Sequence, residues 1–99
     1  MIEIPQNDNA ASEAEKIEAA TRKVLDGIQR GGNCYLSHSE FPEWCAMEVA
    51  KRFIAKGYHA RRIEHMRGDG PSWFWYGVEI SKERLSPKSY PKSVSTVIG

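Results

Sequence analysis

The chain has 99 residues, of which 40% are hydrophobic, 27% charged and 10% aromatic. A chain of this length forms one domain and can bury enough surface to fold without a metal ion or a disulfide. No apolar run approaches the roughly 20 residues of a membrane span, and the N-terminus lacks the pattern of a secretory signal, so we expect a soluble, cytoplasmic protein that does not contact a membrane.

The charged residues are divided unevenly along the chain. The formal net charge is only +1, yet residues 1–50 hold nine acidic and four basic side chains, whereas residues 51–99 hold four acidic and ten basic ones. Two interpretations fit this pattern. Either the folded protein has a polarised surface that orients a partner, or each helix carries its own solvated charges.

A long amphipathic helix is predicted in the first third of the chain. Residues 1–8 are polar and predict a flexible leader, and the domain itself is expected to span residues 9–81. Asn9 or Ser12 can cap the helix, and Ser12 with Glu15 forms a capping box. The apolar residues at three- and four-residue spacing are Ala14, Ile17, Ala20, Val24 and Ile28. Gly31 and Gly32 predict its end.

One strand, a second helix and two further strands are predicted next. Asn33–His38 is expected to be a short strand, and a helix follows between Ser39 and Gly57. Tyr58–Met66 is extended, Arg67–Pro71 has the composition of a turn, and Ser72–Ile80 has the strongest strand pattern. Residues 82–99 predict a polar, proline-broken tail, whose last residues either form a short edge strand or extend freely.

These elements predict an α+β fold, a two-layer sandwich with the element order α-β-α-β-β. Because a helix joins the first two strands and a hairpin joins the last two, we expect a three-stranded mixed sheet in the order 1-3-2. Strict alternation along the third predicted strand points one set of side chains towards both helices: Phe74, Tyr76, Val78 and Ile80. The same alternation points Trp73, Trp75, Gly77 and Glu79 to the opposite face.

No residue set predicts catalysis, a cofactor or a metal site. Cys34 and His38 are too far apart along a strand to chelate one ion. Cys34 and Cys45 are expected to be reduced, buried thiols. We therefore predict a protein that is not an enzyme and needs no cofactor, with a small enzyme or regulator that uses a cysteine–histidine site as an alternative.

The candidate contact surface is the sheet face away from the helices. Its predicted partner-binding residues are His59, Arg61, Ile63, His65, Arg67, Trp73 and Trp75. Tryptophan and arginine are enriched at protein-binding hot spots, and both also contact nucleic-acid bases and phosphates. A protein partner, a nucleic-acid partner, and coverage of the tryptophans by the C-terminal tail all remain open. The small net charge counts against nucleic acid. The chain is expected to be a monomer or a homodimer.

The succession of elements resembles the small accessory proteins of tailed bacteriophages, over roughly Ala14 to Ser81. The residues that carry the resemblance are the Gly-aromatic step of Phe53–Tyr58, the basic strand after it, and the Trp-rich strand that includes Trp73–Tyr76. The resemblance implies a stoichiometric binding protein that modulates or inhibits a host protein in the host cytoplasm. It implies no catalytic residue.

Overall fold

The computed structural model describes residues 5–67 and 72–99. The predicted turn Arg67–Pro71 falls mainly outside the described residues, as do residues 1–4 of the predicted leader. The elements, in chain order, are α1 (Pro5–Gly31), β1 (Asn33–Ser37), α2 (Glu43–Ala55), β2 (His59–Met66), β3 (Trp73–Ser81), β4 (Lys88–Tyr90) and β5 (Ser93–Ile98).

The α+β class is confirmed, but the predicted three-stranded sheet is wrong. The described strands form one five-stranded sheet in the order β1-β3-β2-β5-β4, and every neighbouring pair is antiparallel. The predicted order of the first three strands is retained. The sheet is not mixed, because β3 lies between β1 and β2 and runs antiparallel to both. The two additional strands come from residues 82–99, which the sequence predicts to be a tail.

Both helices pack on one face of the sheet and enclose the core. The fully buried or nearly buried apolar residues are Ala20, Val24 and Ile28 of α1; Cys45, Ala46, Val49, Ala50 and Phe53 of α2; and Cys34, Leu36, Ala60, Val78 and Ile80 of the sheet. The predicted apolar stripe of α1 contributes small and β-branched side chains to this core, and these allow the helix to approach β1 closely. We call this side of the sheet the helix face and the other side the reverse face.

Helix α2 ends because Gly57 adopts a left-handed backbone conformation. Gly57 has a φ of 98°. Its N–H donates to the carbonyl of Ile54, and the N–H of Tyr58 donates to the carbonyl of Phe53, both at 3.0 Å. This pair of bonds is the Schellman arrangement, which satisfies carbonyls that the helix leaves without partners. It turns the chain directly into β2.

An irregularity in β3 changes which side chains face the helices. Ile63 pairs with Gly77, but the next residue of β2, Glu64, pairs with Trp75, so Tyr76 has no partner on β2. This is a β-bulge, in which two residues of one strand oppose one residue of the other. Tyr76 and Gly77 therefore point to the same face of the sheet, and the alternation of side chains along β3 is interrupted between them.

The bulge places both predicted tryptophans on the helix face. Val78 and Ile80 face the helices as expected, and Trp75 also packs against the core. Trp73 pairs with Met66 and lies on the same face as Trp75. It is 40% exposed because it lies at the end of the sheet. Phe74 and Tyr76, which strict alternation points at the helices, lie on the reverse face instead.

Candidate partner-binding surface

Neither of the two described helices covers the reverse face, yet this face carries several half-buried aromatic side chains. One face of an antiparallel sheet commonly carries polar residues when it contacts water. Here β1 contributes Tyr35, β2 contributes His65, and β3 contributes Phe74 and Tyr76, each of intermediate burial. Their mutual contacts cause that burial, as the ring geometry shows.

Five rings and one guanidinium group form a continuous cluster. The rings of His65 and Tyr76 are stacked, with centroids 3.7 Å apart and planes at 15°. His38, which is exposed just after β1, lies 5.0 Å from Tyr76 and 5.8 Å from Phe74. The guanidinium carbon of Arg67 lies 4.9 Å from the Phe74 ring centroid, within the range of a cation–π contact. We call Tyr35, His38, His65, Arg67, Phe74 and Tyr76 the histidine–aromatic patch.

Tyr35 fixes one side of this patch against the bulge. Its ring lies over Gly77, and its hydroxyl donates a hydrogen bond of 3.1 Å to the carbonyl oxygen of Tyr76. Burial, together with the neighbouring Tyr76 phenol, raises the pKa of Tyr35 to about 12. The Tyr35 phenol is therefore a neutral hydrogen-bond donor at physiological pH.

Arg61, a predicted partner-binding residue, is engaged within the protein. It is only 9% exposed. One terminal nitrogen, Nη1, donates to the carbonyl oxygen of Ser86 at 2.8 Å, and the other, Nη2, forms an ion pair with Glu79 on the adjacent strand. Because removal of one member of a buried pair leaves the other charge uncompensated, Arg61 supports the fold and its substitution does not isolate a binding role.

A small cleft adjoins the patch where β4 and β5 extend the sheet. It encloses about 180 Å³ and is lined by Arg61, Ile63, Lys88, Tyr90, Ser93 and Ser95. The hydroxyl of Ser95 accepts the N–H of Lys88 at 2.8 Å and lies 3.3 Å from the carbonyl of the same residue. These bonds fix β4 beside the cleft. Since Ser93 pairs with His65, the cleft and the patch are continuous across β2 and β5.

The predicted binding residues are thus divided between the two faces. His59, Arg61, Ile63 and His65 share the reverse-face parity of β2, and Arg67 follows the strand. Arg62 has the opposite parity and contacts Glu43 of α2 on the helix face. Of the predicted set, His65 and Arg67 meet in the patch, Arg61 and Ile63 line the cleft, and the two tryptophans lie on the other side of the sheet.

Sequence reasoning missed the residues that form most of the patch. The sequence pattern places Tyr35 and His38 in a short strand without indicating a surface role, and strict alternation points Phe74 and Tyr76 towards the helices. One signal was available, because a glycine inside a strand pattern often marks a bulge or a close backbone approach, and Gly77 marks both.

The two thiols offer no reactive site. Cys34 and Cys45 are free and buried. Desolvation raises the pKa of each thiol above the usual 9.0, which lowers the thiolate fraction on which nucleophilic chemistry depends. Within residues 5–67 and 72–99, no group of three or more His, Cys, Asp or Glu is arranged to hold a metal ion.

The chain matches no protein-family model, no curated protein and no solved structure. In the part of the chain that the structure describes, neither helix is long and apolar enough to cross a membrane.

Proposed function

We propose that this chain is a non-enzymatic binding protein that contacts a protein partner through the histidine–aromatic patch. The observation that carries the proposal is a cluster of aromatic and imidazole rings in mutual contact, bordered by Arg67, on a sheet face that neither described helix covers. The resemblance to bacteriophage accessory proteins supports a host protein as the partner, whose activity the bound chain modulates or inhibits.

The chemistry of the patch fits a protein interface. Tyrosine, tryptophan and arginine are enriched at hot spots because they bury a large area and retain a polar group. Stacking of His65 on Tyr76 and the hydrogen bond of Tyr35 fix these rings before any partner binds. Such pre-organisation lowers the entropic cost of association.

Affinity capture with matched surface variants tests the proposal. The patch variant is Arg67→Ala/Phe74→Ala, and the control is Arg52→Ala/Trp44→Ala, which removes one cation and one exposed aromatic ring from α2. Each protein is checked for native circular dichroism, used to capture partners from a bacterial lysate, and measured against the purified partner by calorimetry. We expect the patch variant to lose about tenfold or more in affinity and the control to retain it.

A third variant distinguishes binding through the patch from binding through the tryptophans. Trp73→Ala changes an exposed ring on the helix face, so we expect it to bind as the unmodified chain does. A folded patch variant with unchanged affinity, or a Trp73→Ala protein that loses affinity, would remove the patch from consideration.

A nucleic-acid partner is the second candidate function, and one observation favours it. Aromatic rings serve as stacking platforms for bases, and Arg67 and Lys88 supply cations on the same face. Glu79 also lies on this face, but it is paired with Arg61. Fluorescence anisotropy with labelled single- and double-stranded DNA at increasing salt tests this candidate. Affinity that falls steeply with salt would support it, and the absence of binding at low salt would exclude it.

A further inference from the structure

The cleft beside the patch has the features of a site for a single anionic group. It encloses about 180 Å³, less than the roughly 300–1,000 Å³ of pockets that take drug-sized ligands. Its lining holds one guanidinium group, one ammonium group and three hydroxyls, with Ile63 as the apolar member and no carboxylate. A cleft of this size and composition fits a small oxyanion.

Some of the hydrogen-bond donors in the cleft already have partners within the protein, and others do not. Arg61 is committed to Ser86 and Glu79, and Ser95 is committed to the backbone of Lys88. Within the described residues, the side chains of Lys88, Tyr90 and Ser93 make no hydrogen bond or ion pair. Lys88 and Tyr90 are exposed on β4, and Ser93 is half-buried on β5. The Nε of Arg61 also has no partner, but it is fully buried, so the accessible free donors are one point charge and two hydroxyls.

This donor set suits a phosphoryl group better than a carboxylate. A carboxylate is recognised most specifically by the two parallel donors of an arginine fork, and the fork of Arg61 is occupied. A phosphoryl group has three strong acceptor oxygens, which can each take a single bond from a separate donor, and lysine is a common phosphate ligand as a point charge.

We propose that the cleft formed by Lys88, Tyr90 and Ser93 binds a phosphoryl group, and that the protein partner presents it as a phosphorylated side chain beside the patch. The part of this inference that concerns the partner rests on the proposed function. A phosphorylated side chain fits better than a nucleic-acid strand, because the cleft offers one free ammonium group and a strand requires cations along its length.

Titration of the isotope-labelled protein with inorganic phosphate, phosphoserine and phosphotyrosine tests the site without any partner. Two-dimensional amide NMR should show saturable shifts at Lys88, Tyr90 and Ser93, with a dissociation constant on the order of millimolar for these small probes. Lys88→Gln should weaken binding by about tenfold or more, because it removes the charged donor. Lys92→Gln is the matched control, since Lys92 belongs to the same hairpin and does not line the cleft.

Each outcome decides the assignment. Saturable binding that Lys88→Gln weakens and Lys92→Gln leaves unchanged supports it. Equal effects of the two variants, or shifts that never saturate, would show general charge attraction and overturn it. Binding of an oligothymidylate tighter than that of phosphoserine and phosphotyrosine would replace the phosphorylated protein with nucleic acid as the occupant. Loss of phosphate binding would leave the affinities measured for the patch variants unaffected, so the two proposals fail separately.

Discussion

At the scale of single residues, Gly77 determines how the patch is assembled. A β-carbon at this position would lie 2.7 Å from the carbonyl oxygen of Leu36 and 2.5 Å from Cζ of Tyr35. The glycine therefore permits the Tyr35 ring to lie close against β3 while the bulge turns Tyr76 to the reverse face.

Gly77→Ala should destabilise the fold by about 1–3 kcal/mol, because the added methyl group overlaps backbone as well as a side chain. Urea unfolding of the variant measures this loss. Gly31→Ala is the control: its new β-carbon would meet only Oδ1 of Asn33, at 3.9 Å, so stability should stay the same or rise slightly. Equal midpoints for the Gly77→Ala variant and the unmodified protein would contradict the close approach described here.

At the scale of elements, β5 converts β2 from an edge strand into an internal one. Residues Ala60 to His65 of β2 pair with β5, and Ile98 at its end packs against the core. The N–H of Met66 also donates to the carbonyl of Lys92, at 2.9 Å, so the hairpin is tied to both ends of β2. The segment after β3 is therefore part of the sheet.

Two substitutions at neighbouring positions of β5 test that contribution. Ile98→Ala should lower stability by about 1–2 kcal/mol, less than the 2–5 kcal/mol of a fully buried isoleucine, because Ile98 is half-buried. Val97→Ala removes an exposed side chain on the opposite face and should change stability by less than about 0.5 kcal/mol. Thermal melts compare the two, and equal effects would contradict the packing of β5 against the core.

Ion pairs along the helices neutralise part of the charge that the helices carry. Three pairs at i,i+4 spacing lie on the helix surfaces: Glu18–Arg22, Asp26–Arg30 and Glu48–Arg52. Each contributes about 0.3–0.5 kcal/mol at most. These pairs fit the interpretation that the helices carry their own solvated charges, but the two pairs within residues 1–50 are neutral in sum and leave the acidic excess of that half in place. Lys88 and Arg67 add positive charge on the reverse face.

At the scale of the whole molecule, the sheet divides two environments. The helix face encloses the hydrophobic core with both thiols and Phe53, and the reverse face holds the histidine–aromatic patch and the Arg61–Glu79 pair. Three groups in these environments have raised pKa values through burial, namely Cys34, Cys45 and Tyr35. Each keeps its proton more firmly in the folded state than in the unfolded state.

Stability should therefore fall at alkaline pH. A group whose pKa rises on folding contributes stability that is complete below its unfolded pKa and is lost as pH rises through the folded value. The usual pKa values are 9.0 for the thiols and 10.0 for Tyr35, so the decline should begin near pH 9 and continue towards pH 12. Urea midpoints between pH 7 and 11 measure it, and Tyr35→Phe should make the decline shallower above pH 10. A midpoint that stays constant from pH 8 to 11 would contradict the burial of these groups.

The sequence by itself determined the α+β class and the existence of both helices and of the strands β1 to β3, because periodicity and glycine stops are local properties of consecutive residues. The apolar stripe Ala20–Val24–Ile28 and the Gly57 stop are examples, and both appear in the structure. The sequence misplaced the start of α1, which begins at Pro5 and not at Asn9 or Ser12. It left the last residues open between a short edge strand and a free end, since the strand character of β5 depends on pairing with β2.

Only the tertiary structure decided which side chains share the reverse face. Tyr76 of β3 has no partner on β2. This bulge puts Trp73 and Trp75 on the helix face and Phe74 on the reverse face, and its position depends on the register in which β2 and β3 pair. Because side chains alternate with a period of two, a shift of one residue moves every following side chain to the other face. The patch exists for that reason, and a sequence read with strict alternation places tryptophans there instead. The cleft depends on the pairing of β2, β5 and β4.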